Sequence, residues 1–543
     1  MKEVRADVLI VGAGPSGATL ACALARAGVS FHLIDKAEQR SPFSRALVIH
    51  PRTLEILDRL GALEDLLARG NRVGAVRIHI GGKLRLEVNF SEARYEGCRF
   101  PEALFVEQNL TEAALDACLE RSGFHAFFDH ELIDFDEGPD GVRATCSDGV
   151  DGSYRVECRY VVGCDGAHSA VRHGADIAFS GSAYARDFML ADVDLEWNQD
   201  QHALQAFIER GGFMAFFPMR EKTRLVSARG RYREESGTPS LSDFERLVDH
   251  LVPYDARISN PTWIARFHLH HRIADRFRKG RVCLAGDAAH IHSPLGGQGM
   301  NTGIQDAWNL GWKLAWALRS GDSATAHEIL ETYHDERYPV GRLLLQTTDR
   351  AFSFVSGTSW LAQMARMFIA PWLVPALGRI SFLRRLALFR LTQLGIHYRP
   401  SALSGPDPDR RHFTRALLPG DRMPEISIGD AWLRPQLDPV RPTVLVVGMD
   451  APAPSGRWKV IHLQDATDTT RCLLGLKGPG LFLIRPDGHL AARGVTPGTL
   501  EAAELMRLAP DGGPTSRPPR ARTFPEPVHR KGGGRPSAGP GDG

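Results

Sequence analysis

Three aspartates in this sequence each close a short apolar run. Asp35 ends Phe31 to Ile34, Asp165 follows Tyr160 to Cys164, and Asp287 follows Arg281 to Gly286. Short apolar runs bounded by glycine or acid read as buried strands. Taken singly, an acid after a strand is a plain turn former. The carboxyl edge of a parallel sheet, however, is where ligands bind, and three acids repeat the pattern.

Glycines supply the second half of that chemistry. Gly12, Gly14 and Gly17 follow the strand Asp7 to Val11 and lead into an Ala-rich helix from about Ser16 to Ala27. Gly28 ends that helix, and the next strand ends in Asp35. Gly12 makes the tight turn, Gly14 lets backbone approach a pyrophosphate, and Gly17 lets helix and strand pack closely. Asp35, eighteen residues after Gly17, can accept hydrogen bonds from ribose hydroxyls. This is a dinucleotide fingerprint in its required strand–helix–strand context, and the acid favours FAD or NAD over a 2′-phosphorylated cofactor. A second glycine loop, SPLGGQG, follows Asp287 and opens a helix from Met300 to Leu318. Ile304, Ala307, Leu310, Gly311, Leu314 and Leu318 fall at helical spacing there. The unpaired N–H groups and positive dipole end at such a helix start favour an anionic guest.

The elements between these motifs must position them. An amphipathic helix opens at Pro51, after the loop residue Arg45; alone, Arg45 reads as a surface residue. Gln108 stands near the start of a helix running to about Arg121, where an amide bonds a ligand or merely caps. Glu131 to Cys146 and Ser153 to Arg159 read as a meander, and Ala167 to Arg172 as a continuation of the strand ending at Asp165. Phe188 to Arg229 holds several β segments. In one of them Phe213, Ala215, Phe217 and Met219 share one face and Met214, Phe216 and Pro218 the other. Both faces are apolar and so must be covered, core packing being the plainer explanation.

Composition bounds the rest. A chain of 543 residues exceeds one core. Hydrophobic content of 43%, charged content of 24% and net charge +2 are those of an ordinary globular protein, not a dedicated nucleic-acid binder. Eight cysteines without a CxxC pair fit a reducing compartment and neither a disulfide framework nor a zinc site. No secretory signal or eighteen-residue apolar run is read, so the expectation is a cytoplasmic protein without a membrane partner. Ala351 to Tyr398 reads as two or three helices, and a new β-containing unit begins near Pro419. It includes a hairpin turning at Asp487-Gly488. From about Pro510 the chain is rich in Pro, Gly and Arg and reads as a disordered tail.

Together, GAGPSG with Asp35, VVGCDGAHSAVR (Val161 to Arg172) and GRVCLAGDAAHIHSPLGGQGMNTGIQDAWNLGWKLA resemble the single-component FAD-dependent aromatic hydroxylases of the p-hydroxybenzoate and phenol hydroxylase type. The branch most resembled contains aromatic polyketide hydroxylases, pentachlorophenol monooxygenase and 3-(3-hydroxyphenyl)propionate hydroxylases. The resemblance covers about Val4 to Leu345 and extends more loosely to about Arg493. It implies an α/β fold. The expected FAD-binding domain is Rossmann-like, in two parts (1–177 and 268–345). The other units are an inserted antiparallel substrate domain (178–267), a helical segment (346–405), a thioredoxin-like domain (406–508) and the tail (509–543).

Residue by residue, the resemblance implies that Gly12, Gly14, Pro15, Ser16 and Gly17 hold the FAD pyrophosphate. Asp35 and Lys36 would hold the adenosine end. Arg45 and Gln108 match FAD-contacting positions. Asp165 would serve FAD and the nicotinamide nucleotide, and Gly286 and Asp287 the ribityl chain. Pro294, Gly299, Met300 and Asn301 would lie along the isoalloxazine, with Phe217, Met219 and Pro294 as pocket wall. The implied activity is hydroxylation of a phenolic or polyketide-like ring by NADH or NADPH and O2 through a C4a-hydroperoxyflavin, in an enzyme that could form a homodimer. No general base is identified: His290 and His292 sit in the key loop, where either could ionise a phenol, but His290, within GDAAH, reads rather as a packed loop residue. Two other readings share the motifs: a reductase-like or halogenase-like flavoenzyme, and a flavin-binding protein without hydroxylase activity. The halogenase WxWxIP signature is absent.

Overall fold

The computed structural model describes residues 2–43, 46–90, 97–149, 152–209, 212–229, 239–292, 296–356, 364, 372–373, 380–449 and 457–510. Its organising layer is a sheet in the order Arg278–Lys279, Val282–Leu284, Tyr160–Gly163, Val8–Val11, Phe31–Asp35, Phe127–Phe128. All neighbours but the first pair run parallel. Parallel strands need both faces covered, and Val8, Leu9, Ile10, Val161 and Val162 are fully buried. One face carries the helix Pro15–Arg26 against the helix Gly299–Arg319. Their contact is close enough that a Cβ on Gly311 would stand 2.7 Å from that of Ala23.

The helix Gly299–Arg319 is buried on every side from Asn301 to Ala317. The stripe Ile304, Ala307, Leu310, Leu314 joins the core of the parallel sheet. The opposite side, with Trp312 and Trp316, joins a core containing Val444, Leu481 and Leu483. An all-round buried helix fits a position between two units, and the C-terminal unit supplies the second cover.

The expected meander forms, with Glu131–Glu137, Val142–Ser147 and Ser153–Cys158 antiparallel and Lys2–Arg5 added in parallel. Ala167 to Arg172 departs from the expectation of continuing strand. Ser169 accepts a hydrogen bond from the Arg172 N–H and caps a short helix, Ala170–Gly174. A serine that offers the backbone a cap outweighs the apolar run before it.

The second large sheet has the order His290–Ile291, Ala256–Ala274, Phe179–Trp197, Thr223–Arg229, Gly212–Pro218, Ala203–Glu209, Ala75–Ile80, Lys83–Asn89. It reaches outside 178–267, because Ala75–Ile80 pairs in parallel with Ala203–Glu209. Met214 and Phe216 pack under the helix Leu241–Leu251, and Phe213 and Ala215 pack with Phe188, Leu190 and Phe267 on the other face. Period-2 alternation thus splits this strand between two cores.

The C-terminal sheet has the order Lys459–Leu463, Thr443–Val447, Gly480–Ile484, Leu490–Gly494. Its first pair is parallel and the other two are antiparallel. Of the expected helical segment 346–405, residues 357–363, 365–371 and 374–379 lie outside the described residues, and so do residues 511–543 of the expected tail 509–543; Ser323–Ser356 and Ser381–Leu391 are helices. Among the described residues no helix is long and apolar enough to cross a membrane.

Candidate functional site

The carboxyl ends of four neighbouring strands form one edge, and hydrogen bonds continue across it beyond the strands. Gly12 N–H donates to the Ile34 carbonyl at 2.8 Å, Cys164 N–H to Val11 at 2.7 Å, and Ala285 N–H to Gly163 at 2.9 Å. This row brings the fingerprint glycines, Asp35, Asp165 and the Gly286-Asp287 loop side by side.

At the fingerprint, Gly12 has φ +100°, and a Cβ there would overlap the Cys164 carbonyl oxygen. A Cβ on Gly17 would overlap the Gly12 carbonyl oxygen, whereas one on Gly14 would meet nothing within 4 Å. The first and third glycines are therefore required by packing, and the second borders open space. Pro15 begins the helix and Ser16 sits in its first turn. The Ser16 side chain fills the gap between Gly286 and Gly303, so the two helix starts adjoin. Asp35 accepts from Ala13 N–H at 2.7 Å and Ala37 N–H at 2.9 Å; each oxygen keeps a further lone pair for a hydroxyl. Lys36 beside it is exposed.

Arg40, which sequence reasoning passed over, closes this end. Its guanidinium donates to the Ala13 carbonyl at 2.7 Å and to both Asp116 oxygens at 2.5 Å, with Glu112 at 3.2 Å. Gln108 donates to Glu112 at 2.8 Å, an i,i+4 contact on its own helix that also reaches this cluster. Burial raises the Glu112 carboxyl above its ordinary value, against the pull of Gln108 and Arg40.

Asp165 is held by the turn that Ser169 caps, accepting from Val171 N–H at 3.2 Å. Its other oxygen, Oδ1, is buried and accepts no hydrogen bond among the described residues. Burial pushes this carboxyl up. A Cβ on the adjacent Gly166 would meet nothing within 4 Å. An orphan carboxylate oxygen beside open backbone fits a hydroxyl-bearing guest.

Asp287 is exposed on the one-turn helix Gly286–Ala288, while everything behind it is buried. Asp306 Oδ2 accepts from Gly286 N–H at 3.2 Å and from His290 Nε2 at 2.7 Å. Its Oδ1 accepts from Arg337 Nε at 2.6 Å, and Arg337 also donates to the Thr302 carbonyl at 3.2 Å. Burial alone would raise the Asp306 carboxyl, but Arg337 and His290 outweigh it and hold it low. His290 is 1% exposed and its ring packs near Phe277, so it braces the loop from inside.

The second glycine loop is clasped by two side chains. Asn301 Nδ2 donates to the Val48 and Gly297 carbonyls, each at 2.7 Å, and its Oδ1 accepts from His50 N–H at 2.8 Å. His50 Nε2 donates to the Gly296 carbonyl at 2.7 Å. Burial lowers the His50 ring to about 4, despite that bond. The Asn301 side chain is thus spent on backbone, and what it, Gly299 and Met300 offer a ligand is the helix start itself. Val48 pairs with Phe105 in a small antiparallel sheet, and the Phe105 and Phe217 rings lie 5.8 Å apart. Phe217 and Met219 share an apolar cluster with Leu47, Val48 and Leu388, next to the loop. Arg45 and Pro294 lie outside the described residues.

Of the residues that sequence reasoning missed, only Asp306 left a signal: an acid inside an apolar helical pattern implies a buried partner. His50 and Arg40 carry no local mark.

Residues 5–348 match the FAD binding domain family. The 6-methylpretetramide 4-monooxygenase of Streptomyces rimosus is 32% identical over 561 residues, spanning 93% of this chain and 97% of that protein. The pentachlorophenol 4-monooxygenase of Sphingobium chlorophenolicum is 30% identical over 504 residues, 90% of this chain and 87% of that protein. The solved anhydrotetracycline hydroxylase OxyS from Streptomyces rimosus superposes with a TM-score of 0.75 at 28% identity, covering 94% of this chain and 100% of that one. With an edge built from fingerprint glycines, strand-end acids and adjoining helix starts, this chain belongs to the FAD binding domain family of aromatic monooxygenases.

Proposed function

We propose that this protein hydroxylates an electron-rich phenolic ring of polycyclic, polyketide-like type, using NADH or NADPH and O2. The observation that carries the reading is the single edge on which Gly14, Asp35, Asp165 and the Gly286-Asp287 loop meet. An apolar wall containing Phe217 and Met219 stands beside the second glycine loop. Relatives named for pretetramide, anhydrotetracycline and pentachlorophenol chemistry support the ring class.

Bound FAD supplies hydride acceptance and oxygen activation. This chain's residues then have separable tasks. The helix start at Pro15 and the open backbone at Gly14 hold the pyrophosphate. Asp35 would accept hydroxyls of the adenosine ribose and Asp287 those of the ribityl chain, and Asp165 would offer its open oxygen to a further hydroxyl. The helix start at Gly299, kept in place by His50 and Asn301, would offer its N–H groups to a ring system that carries negative charge. Phe217 and Met219 exclude water. His290, turned toward Asp306, moves no proton at the substrate.

Two wider features follow the same reading. The C-terminal strand order supports a thioredoxin-like unit without redox function, since Cys472 is an exposed single thiol. The unpaired cysteines support a reducing, cytoplasmic setting.

The test is NAD(P)H oxidation with oxygen uptake across a panel of simple phenols and polycyclic quinols. We expect a ring compound to accelerate both and to gain one oxygen by mass. NAD(P)H consumption that yields only hydrogen peroxide with every compound would overturn the hydroxylase reading.

A further inference from the structure

The turn of the C-terminal hairpin, Arg485 to His489, is buried inside the interface with the FAD-binding unit. Gly488 takes φ +86°, and Arg485 N–H bonds the His489 carbonyl at 2.8 Å, so the tip is a closed turn. Arg485 is fully buried and forks onto both oxygens of Glu336, at 2.7 and 2.8 Å, while also reaching Asp487 at 2.6 Å. The tip meets the helix Gly299–Arg319 directly, since the Asp487 carbonyl accepts from Trp308 Nε1 at 3.3 Å. Arg52, on the helix that follows His50, donates to the same carbonyl at 3.0 Å.

Glu336 and its neighbour Arg337 form the junction. Glu336 also accepts from Lys313 and Asn309, both on the helix Gly299–Arg319 and both at 2.8 Å. Arg337 reaches the other way, to Asp306 and the Thr302 carbonyl, and Asp306 carries the Gly286 N–H and His290. Tyr398 bridges the two halves. Its hydroxyl accepts from Arg337 at 3.0 Å, the His489 ring lies 4.4 Å from its ring, and the Arg485 guanidinium stands 5.1 Å over it. Arg485 and Lys313 balance Glu336 and Asp487, and all four are buried. Such a cluster is rigid while complete and costly when one member is lost.

We propose that the C-terminal unit positions the flavin site. Through Arg485 and the Glu336–Arg337 junction its hairpin tip fixes the Gly286 loop and the Gly299 helix start, and so sets the reduction potential of bound FAD. The inference rests on the FAD-site reading above. Its physical content is electrostatic. The helix start and loop N–H groups favour the negative charge of reduced flavin. Letting them drift, while leaving Glu336 opposed by Lys313 alone, disfavours that charge.

The experiment is spectroelectrochemical titration of the FAD-loaded, full-length protein. Arg485→Met is expected to lower the two-electron potential; a tenfold weaker relative hold on reduced flavin reads as a drop of about 30 mV. Leu445→Ala, a cavity in the C-terminal core that removes none of the polar contacts of the tip, is expected to lower thermal stability and leave the potential unchanged. Arg485→Lys and Tyr398→Phe, which nearly preserve volume, carry the test if Arg485→Met does not fold, each with a smaller drop. FAD bound at an unchanged potential in Arg485→Met, or in both conservative variants, overturns the inference. So does an equal drop in Leu445→Ala. Failure of the parent protein to bind FAD would instead overturn the FAD-site reading.

Discussion

Gly14 and Gly17 stand one helical turn apart and differ in what surrounds them. A methyl on Gly14 enters open space, so Gly14→Ala is expected to fold normally while its side chain occupies the approach of the pyrophosphate. FAD affinity should fall at least about tenfold, the equivalent of ~1.4 kcal/mol, in a flavin fluorescence titration. Gly17→Ala overlaps the Gly12 carbonyl oxygen and should destabilise the fold by about 1–3 kcal/mol in urea unfolding. Equal losses of FAD affinity and stability in both variants would contradict this division. His50 adds a pH dependence. Its ring titrates near 6.5 when unfolded and near 4 when folded. The contribution is complete above about pH 6.5 and is lost as pH falls to about 4, because the unfolded state binds the proton first. The size is ~3 kcal/mol. His489, also lowered by burial to about 4, acts in the same direction. His50→Gln, whose amide can still donate to Gly296, should flatten only part of the fall in urea midpoint between pH 6.5 and 4. An unchanged slope would show that His50 does not titrate in this way.

At the scale of elements, Gly296 and Gly297 have no side chains with which to order their loop, so its neighbours must. Asn301 bonds the strand Val48–Ile49 on one side and Gly297 on the other, and His50 adds Gly296. Asn301→Ala leaves buried backbone groups unpaired, an expected cost of about 2–3 kcal/mol. The looser loop should also admit water. The fraction of NAD(P)H consumption appearing as hydrogen peroxide is therefore expected to rise, measured by a peroxidase-coupled assay. A variant that loses stability while keeping its peroxide fraction would mean that the clasp serves the fold alone. The same logic explains why the helix Gly299–Arg319 carries Asp306 and Lys313 in its interior. Each faces a partner of opposite charge on the following helix, Ser323–Ser356.

For the whole molecule, the interface between the FAD-binding unit and the C-terminal unit is unusually rich in buried charge. Glu336 is its centre, pairing with both Arg485 and Lys313, while Arg485 also pairs with Asp487. Burial lowers Lys313 to about 8 even with Glu336 alongside, so the cluster has little charge to spare. Glu336→Ala strands the buried Lys313 and leaves Arg485 with Asp487 alone, which should cost about 3–5 kcal/mol, read in denaturant unfolding of the FAD-loaded protein. A loss under 1 kcal/mol would mean that water or rearrangement replaces the carboxylate. A second buried cluster joins the same two units: Glu55 pairs with Arg52 on its own helix and with Arg422 and Arg434 beyond it. Each unit therefore leaves unpaired charge if separated, which ties the stability of one to the presence of the other.

The sequence alone determined the parts whose physics is local. A strand, a GxGxxG turn and a helix are fixed by neighbours within a few residues, so the fingerprint, the three strand-end acids and the second helix start were legible with their order. Patterning likewise separated the two faces of Gly212–Pro218. What the sequence could not carry was the pairing of residues far apart in the chain. His50 meets Asn301 across 251 positions and Arg485 meets Glu336 across 149, and nothing local marks either pair. Only the tertiary structure decided that Ala75–Asn89 joins the large sheet and that Asn301 spends its side chain on backbone. It also placed the C-terminal hairpin against the helix Gly299–Arg319. Those outcomes depend on which buried polar groups find partners once the cores close, and that is settled in three dimensions.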